Sequence, residues 1–236
     1  MSIESTTTEE AIATGTTGAN SPATAGEALK VFFLHPSVFI LSALTLGFSL
    51  LRIQAGHWSW ADAVAPLAIF LFWPIMEWGI HVHLLHFKPF TLFGRKIDFL
   101  LPQTHREHHK TPWDIKRIFI PLHVYPLVAP ILIGGAWLLA PTPELFYGGL
   151  AFYFLLALNY EFCHYLAHIR WCPPIEYYKR RVRLHRFHHF KHERLWWGVS
   201  MGLGDVLFGT APDPEKVHRS GNTRDLLGRW PGGQAH

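Results

Sequence analysis

The chain has 236 residues, 49% of them hydrophobic, 15% aromatic and only 16% charged, with a formal net charge of +4. So low a charged fraction, with ten Trp and eighteen Phe, suits a membrane protein better than a soluble enzyme of this size, and so mild a positive charge calls for no nucleic acid. Two cysteines, Cys163 and Cys172, without CxxC spacing exclude a disulfide scaffold and a sulfur-rich metal site.

Residues 1–27 are rich in Thr, Ala, Ser and Gly and hold four acids and no base. They lack the basic start and apolar core of a signal peptide and are expected to form a disordered polar tail. Residues 31–51 are almost continuously apolar and end at Arg52. At about 1.5 Å per residue they cross a hydrocarbon core of roughly 30 Å. A second span, 61–80, contains Pro66 and Pro74 and closes a helical hairpin through the polar turn QAGHWSW. The segment 81–117 is amphipathic and carries Lys88, Arg95, Lys96, Arg106, Lys110, Lys116 and Arg117. A third span, 121–140, turns at PTPE into a fourth, 145–160. Residues 161–215 are polar, basic and rich in His and Trp, and 216–236 read as a polar C-terminal tail.

The predicted fold is therefore all-α. It is an integral membrane four-helix bundle over residues 28–215, with a helical cap built from 81–117 and 161–215. Nearly all Lys and Arg fall on the side of the cap and both termini, so that side is expected in the cytoplasm.

Ten of the seventeen histidines recur in four groups. His81 and His86 form the first, and His105, His108 and His109 the second. His164 and His168 form the third, and His185, His188 and His189 the fourth. On a helix, spacings of three and four aim side chains at one point. All four groups lie at or just beyond span ends on one side. They are enough for two metal ions with open coordination positions, and imidazole alone leaves iron, zinc, copper and nickel open. His35, His57, His83, His123, His192, His218 and His236 stand outside such spacing or off the shared face. Glu77 precedes His81 by four residues and Glu161 precedes His164 by three. With Asp205 they are expected to accept the outer N–H of a histidine and fix its ring, while Glu107 reads equally as a surface charge. No HExxH motif, nucleophile elbow, P-loop or GxGxxG fingerprint competes. A membrane metal transporter is the reading of another class. The histidines lie beyond the span ends and the two hairpins show no inverted repeat, which argues against it.

Four stretches, EWGIHVHLLH, HREHHKTPWDIKRIFIP, NYEFCHYLAH and LHRFHHF…WWGVSMGLGDVLFGT, cover roughly Trp73 to Pro214. They resemble, in order, the four histidine boxes and closing segment of the fatty acid hydroxylase/sterol desaturase superfamily of membrane di-iron oxygenases, the fatty acid 2-hydroxylases in particular. The first box has the H-x-x-x-x-H spacing of that branch, with Val82 where an Arg often follows the leading His. The resemblance implies that the ten grouped histidines ligate two iron ions, for which zinc can substitute in purified protein. It implies oxygen insertion from dioxygen into a C–H bond of a lipid acyl chain, at the 2-position, in lipid biosynthesis. A sterol, hopanoid or carotenoid hydroxylase or desaturase is the alternative within the superfamily. Electrons are then expected from a separate donor protein, because the polar tail cannot hold the haem domain that fungal and animal relatives commonly carry. Tyr177, Tyr178 and the run KRRVR are expected at the lipid interface, with the basic face Lys179–Arg186 holding the substrate's polar headgroup.

Overall fold

The computed structural model describes residues 21–224, 226 and 227, so the expected N-terminal tail up to residue 20 and the last residues of the C-terminal one lie outside the described residues. Helix α1 (Ala25–Leu34) opens on a capping box in which Thr24 and Glu27 each accept the other's backbone N–H. It does not run on into the first span, as a continuous apolar stretch from 31 to 51 predicts. The chain breaks at His35, and helix α2 spans Pro36–Ala55. Proline has no N–H to donate and forces the preceding residue out of the helical region, where His35 sits at φ −76°, ψ 133°. The His35 Nδ1 then accepts the N–H of Ser37 at 3.3 Å and caps the new helix.

Among the described residues, four segments are long and apolar enough to cross a membrane: Pro36–Ala55, Trp60–Leu85, Ile115–Leu139 and Pro143–Ala167. Their helices are α2, α3 (Val64–Ile80), α6 (Tyr125–Leu139) and α7 (Pro143–Ala167). Large apolar side chains cover their outer faces; Leu138 and Leu139 are each 84% exposed. Only hydrocarbon accommodates so continuous an apolar surface, and the chain is an integral membrane protein. The second and fourth spans continue beyond 80 and 160, because their last turns carry His, Glu and Tyr that a hydropathy reading takes for loop. Helix α7 is the central post, packed along α2, α3 and the cap helix α8 (Glu176–Phe190). Leu41, Trp73, Phe146, Leu150 and Phe154 fill the space between the spans.

At the end of the bundle away from the histidines, the buried Arg52 locks the α2–α3 turn. It pairs with Asp62 at 2.5 Å, donates to the Gly56 carbonyl at 2.8 Å and lies 3.8 Å from the centre of the Trp58 ring. At the other end the cap is built from α4 (Leu100–Lys110), α5 (Ile115–Ile118), α8 and α9 (Leu203–Leu207). One element departs from the all-α expectation: an antiparallel hairpin of β1 (Phe90–Leu92) and β2 (Arg95–Ile97), with Phe90 opposite Ile97. Its turn residues Phe93 and Gly94 both have positive φ, 48° and 73°, as a two-residue hairpin turn of matching twist requires.

Candidate metal centre

The cap gathers all ten grouped histidines into two sets of five. His81, His86, His105, His109 and His188 form one, and His108, His164, His168, His185 and His189 the other. Within each set the candidate ligand atoms lie within 4.8 Å of one another. Helix geometry explains which residues travel together. His105/His109 on α4, His164 on α7 with His168 at its C-terminal cap, and His185/His189 on α8 are spaced i, i+4 and stay paired. His81 and His86 are five apart, which an α-helix would turn about 140° from each other. A π turn over His81–Leu85, closed by the His86 N–H on the His81 carbonyl at 3.1 Å, brings both into one set.

The free nitrogens fit metal ions. In the first set the Nε2 atoms of all five histidines are buried and have no hydrogen-bond partner among the described residues. Three of the five donate their Nδ1–H to backbone carbonyls: His81 to Trp197 at 2.7 Å, His109 to Thr223 at 3.0 Å and His188 to Leu195 at 2.9 Å. That bond fixes the tautomer and leaves the Nε2 lone pair for a ligand. In the second set Nε2 of His164 faces Nε2 of His108 at 3.1 Å, and that of His189 faces that of His185 at 3.0 Å. Two nitrogens bound to one ion at about 2.0–2.1 Å each lie about 3.3 Å apart. Burial, reinforced by neighbouring rings, holds the imidazoles of His86, His105, His108, His109, His168, His185, His188 and His189 well below their ordinary range. They are neutral at physiological pH, the form a metal takes.

The carboxylates act one step further out than their spacing predicts. Glu77 does not meet His81; it accepts from Ser200 N and Oγ at 2.6 and 2.7 Å and from Met201 N at 3.2 Å, tying α3 to the closing segment. Glu161 does not meet His164; it accepts from Ser37 Oγ at 2.5 Å and Ile120 N at 2.8 Å and pins the 118–121 segment to α7. Asp205 accepts from Trp197 N, Gly198 N and Thr210 Oγ1 at 2.7–2.8 Å, so it holds the peptide whose carbonyl orients His81. Glu107 is exposed and pairs with Lys110. A one-dimensional spacing rule fails for these residues because the rings are already served by carbonyls.

Those carbonyls are what the sequence hides. Any residue supplies one, so Trp197, Leu195 and Thr223 carry no side-chain signal. Thr223 lies in the expected polar tail beyond 215, yet it is buried against His109. Trp196, which precedes the His81 acceptor, sits at φ 54° with its indole N–H on the Pro212 carbonyl and its backbone N–H on that of Thr210. A tryptophan in this left-handed region costs about 1–3 kcal/mol, which the surrounding bonds offset.

A cavity of about 360 Å³ reaches both sets. His81 and His105 of one and His108 and His164 of the other line it, together with Trp73, Ile80, Leu84, Phe119, Val128, Tyr153 and Tyr160. From His164 to Tyr153 it follows α7 for about 16 Å toward the membrane. Its basic residues are Lys116, Arg117 and His123, not the expected Lys179–Arg186 face. On α8, Arg181 and Arg186 turn inward, and Arg186 donates to the carbonyls of Ala167 and Ile169 at the end of α7.

The fatty acid 2-hydroxylase of Macaca fascicularis is 34% identical over 162 residues, covering 64% of this chain and 40% of that protein. The dihydroceramide fatty acyl 2-hydroxylase FAH1 of Arabidopsis thaliana is 28% identical over 193 residues, 78% of this chain and 73% of that one. Thus the chain spans well under half of the macaque enzyme's length. A solved structure of full-length scs7p, with only its hydroxylase domain visible, superposes with a TM-score of 0.65 at 21% identity over 80% of this chain and 69% of that one, which establishes a shared fold. The fatty acid hydroxylase family model matches residues 66–210, a stretch that contains both histidine sets, and the chain belongs to that family.

Proposed function

We propose that the chain hydroxylates a lipid acyl chain at its 2-position, using two iron ions held by the ten histidines, with each set of five enclosing one ion. The observation that carries this reading is the apolar cavity, which runs from the bilayer side of the bundle to both histidine sets. Bound iron would supply activation of dioxygen. Overall, the acyl C–H bond, dioxygen, two electrons and two protons become a C–OH group and water, and the electrons come from a separate donor protein. The chain's own residues bind, orient and exclude water. Trp73, Val128 and Tyr153 line the deep part and take the hydrocarbon tail. Lys116 and Arg117 lie at the same cavity as the histidines and receive the polar end. The first carbons of the chain then sit nearest the histidine sets, which favours position 2 over a mid-chain carbon. The cap and both termini face the cytoplasm, in keeping with the Lys and Arg of residues 81–117 and 161–215.

Cells that express the chain should accumulate 2-hydroxyacyl lipids whose hydroxyl oxygen derives from labelled dioxygen and not from labelled water. New double bonds, or hydroxyl groups confined to ring lipids, would reject the reading. A reporter fused after His236 should be active in the cytoplasm; activity only on the far side would invert the topology.

A further inference from the structure

The hairpin β1–β2 has features that neither the metal centre nor the cavity uses. Phe93 at its tip is 96% exposed and adopts φ 48°, a left-handed conformation that favours Gly, Asn or Asp. An aromatic ring there gains nothing from the rest of the protein. Behind it Phe87, Phe90 and Phe99 form a cluster with ring centres 5.8–6.1 Å apart, and all three remain exposed. Lys88, Arg95 and Lys96 flank these rings, are exposed and pair with no carboxylate among the described residues. The one nearby acid, Asp98, is engaged by Arg106, which also donates to the Phe87 carbonyl at 3.0 Å and so anchors the hairpin's base.

Its place in the fold points to what covers it. The hairpin begins just after His86, where the second membrane-crossing segment has ended at Leu85. It therefore leaves the second span at its cap end and lies, in sequence, between Leu85 and Leu101, which both line the cavity. Three-residue strands reach about 10 Å. That matches the depth of about 5–10 Å to which interfacial elements sink. Aromatic tips with flanking Lys and Arg are the pattern of a segment seated among lipid headgroups.

We propose that the β1–β2 hairpin is a lip inserted into the leaflet beside the cap, with Phe93 among the acyl chains and Lys88, Arg95 and Lys96 on anionic headgroups. A lip so placed keeps the adjoining cavity wall in contact with lipid rather than water. This holds whichever carbon of a substrate reacts, and its test does not need the reaction.

The test uses the full chain with Cys172→Ser, reconstituted in vesicles, with a nitroxide on Phe93→Cys or, as a reference, on Glu215→Cys, which is exposed on the Pro214–Lys216 turn. Cys163 is buried. Electron paramagnetic resonance then compares relaxation of the label by dioxygen, which partitions into lipid, and by a water-soluble chromium complex. The dioxygen effect should be the larger at 93 and the chromium effect the larger at 215. A label at 93 as open to chromium as that at 215 would overturn the proposal. So would dipolar broadening at 93 that grows with protein density, which would mean contact with a second copy. In vesicles containing phosphatidylserine the label should sit deeper than in phosphatidylcholine alone, and Lys88→Glu with Lys96→Glu should abolish that difference. Depth insensitive to both lipid charge and the double variant would overturn the anionic-headgroup assignment.

Discussion

His81 donates its Nδ1–H to the carbonyl oxygen of Trp197 at 2.7 Å, across 116 residues of sequence. Through that one bond the end of a membrane-crossing helix and the closing segment of the chain share the task of aiming a ring. Asp205, which receives the N–H of the same Trp197 at 2.8 Å, makes the arrangement rigid.

Asp205→Ala should therefore disturb the first histidine set without touching a ligand. Two buried backbone donors and the part-buried Thr210 hydroxyl lose their acceptor, which costs about 2–3 kcal/mol. Loss of support behind a ligand typically weakens metal binding about 10–100-fold. Chelator competition on purified zinc-loaded protein should show one weakened site and one near-normal site. Equal weakening of both, or of neither, would detach Asp205 from His81.

The two sets can be emptied separately. His188→Ala removes a member of the first and His108→Ala a member of the second. Each variant should retain about one of two ions per chain, and both should lose hydroxylation, since the cavity meets both sets. Mass spectrometry of the intact protein under native conditions counts the ions. Full occupancy in both variants would refute the assignment.

Acid should destabilise the metal-free protein. Burial depresses the folded-state pKa of eight histidines outside the membrane segments, so the unfolded chain binds more protons once pH falls below the ordinary imidazole value of about 6.5. The contribution of these rings is thus present above that pH and is lost as pH falls toward their folded values. Thermal unfolding in detergent should move to lower temperature between pH 7.5 and 5.5. A flat or rising Tm over that window would contradict the sign.

Arg52→Ala serves as the distal control. It breaks a part-buried ion pair with Asp62 at the other end of the bundle and should lower the Tm. Metal content should stay at its original stoichiometry, because neither residue approaches the histidines or the cavity. A lower Tm with unchanged metal is the expected pair of readings.

Gly204→Ala should loosen the closing segment. A Cβ there would meet the Pro74 carbonyl oxygen at 2.4 Å and the Trp78 Cβ at 2.7 Å, so α9 would have to lift from α3. The cost should be about 1–3 kcal/mol, read as a lower Tm. Tolerance without loss would mean that α9 does not seat as closely as these distances require.

Apolar length and histidine spacing were enough, by themselves, to determine that there are four spans and which histidines gather at their ends. These are local properties: a run of hydrophobic residues has one stable solvent, and residues four apart on a helix share a face. The break at His35 was legible too, in Pro36, but continuous apolarity outweighed it. Tertiary structure alone decided how the histidines divide. Each H-x-x-H-H group sends its i, i+4 pair to one set and its middle residue to the other: His105 and His109 join His188, while His185 and His189 join His108. That exchange depends on α4 and α8 facing each other across the ends of α3 and α7, and no spacing within either helix encodes it. The supports of the rings were hidden for the same reason. Backbone carbonyls of Leu195, Trp197 and Thr223 are identical in every residue, and only the path of the folded chain brings them to a nitrogen.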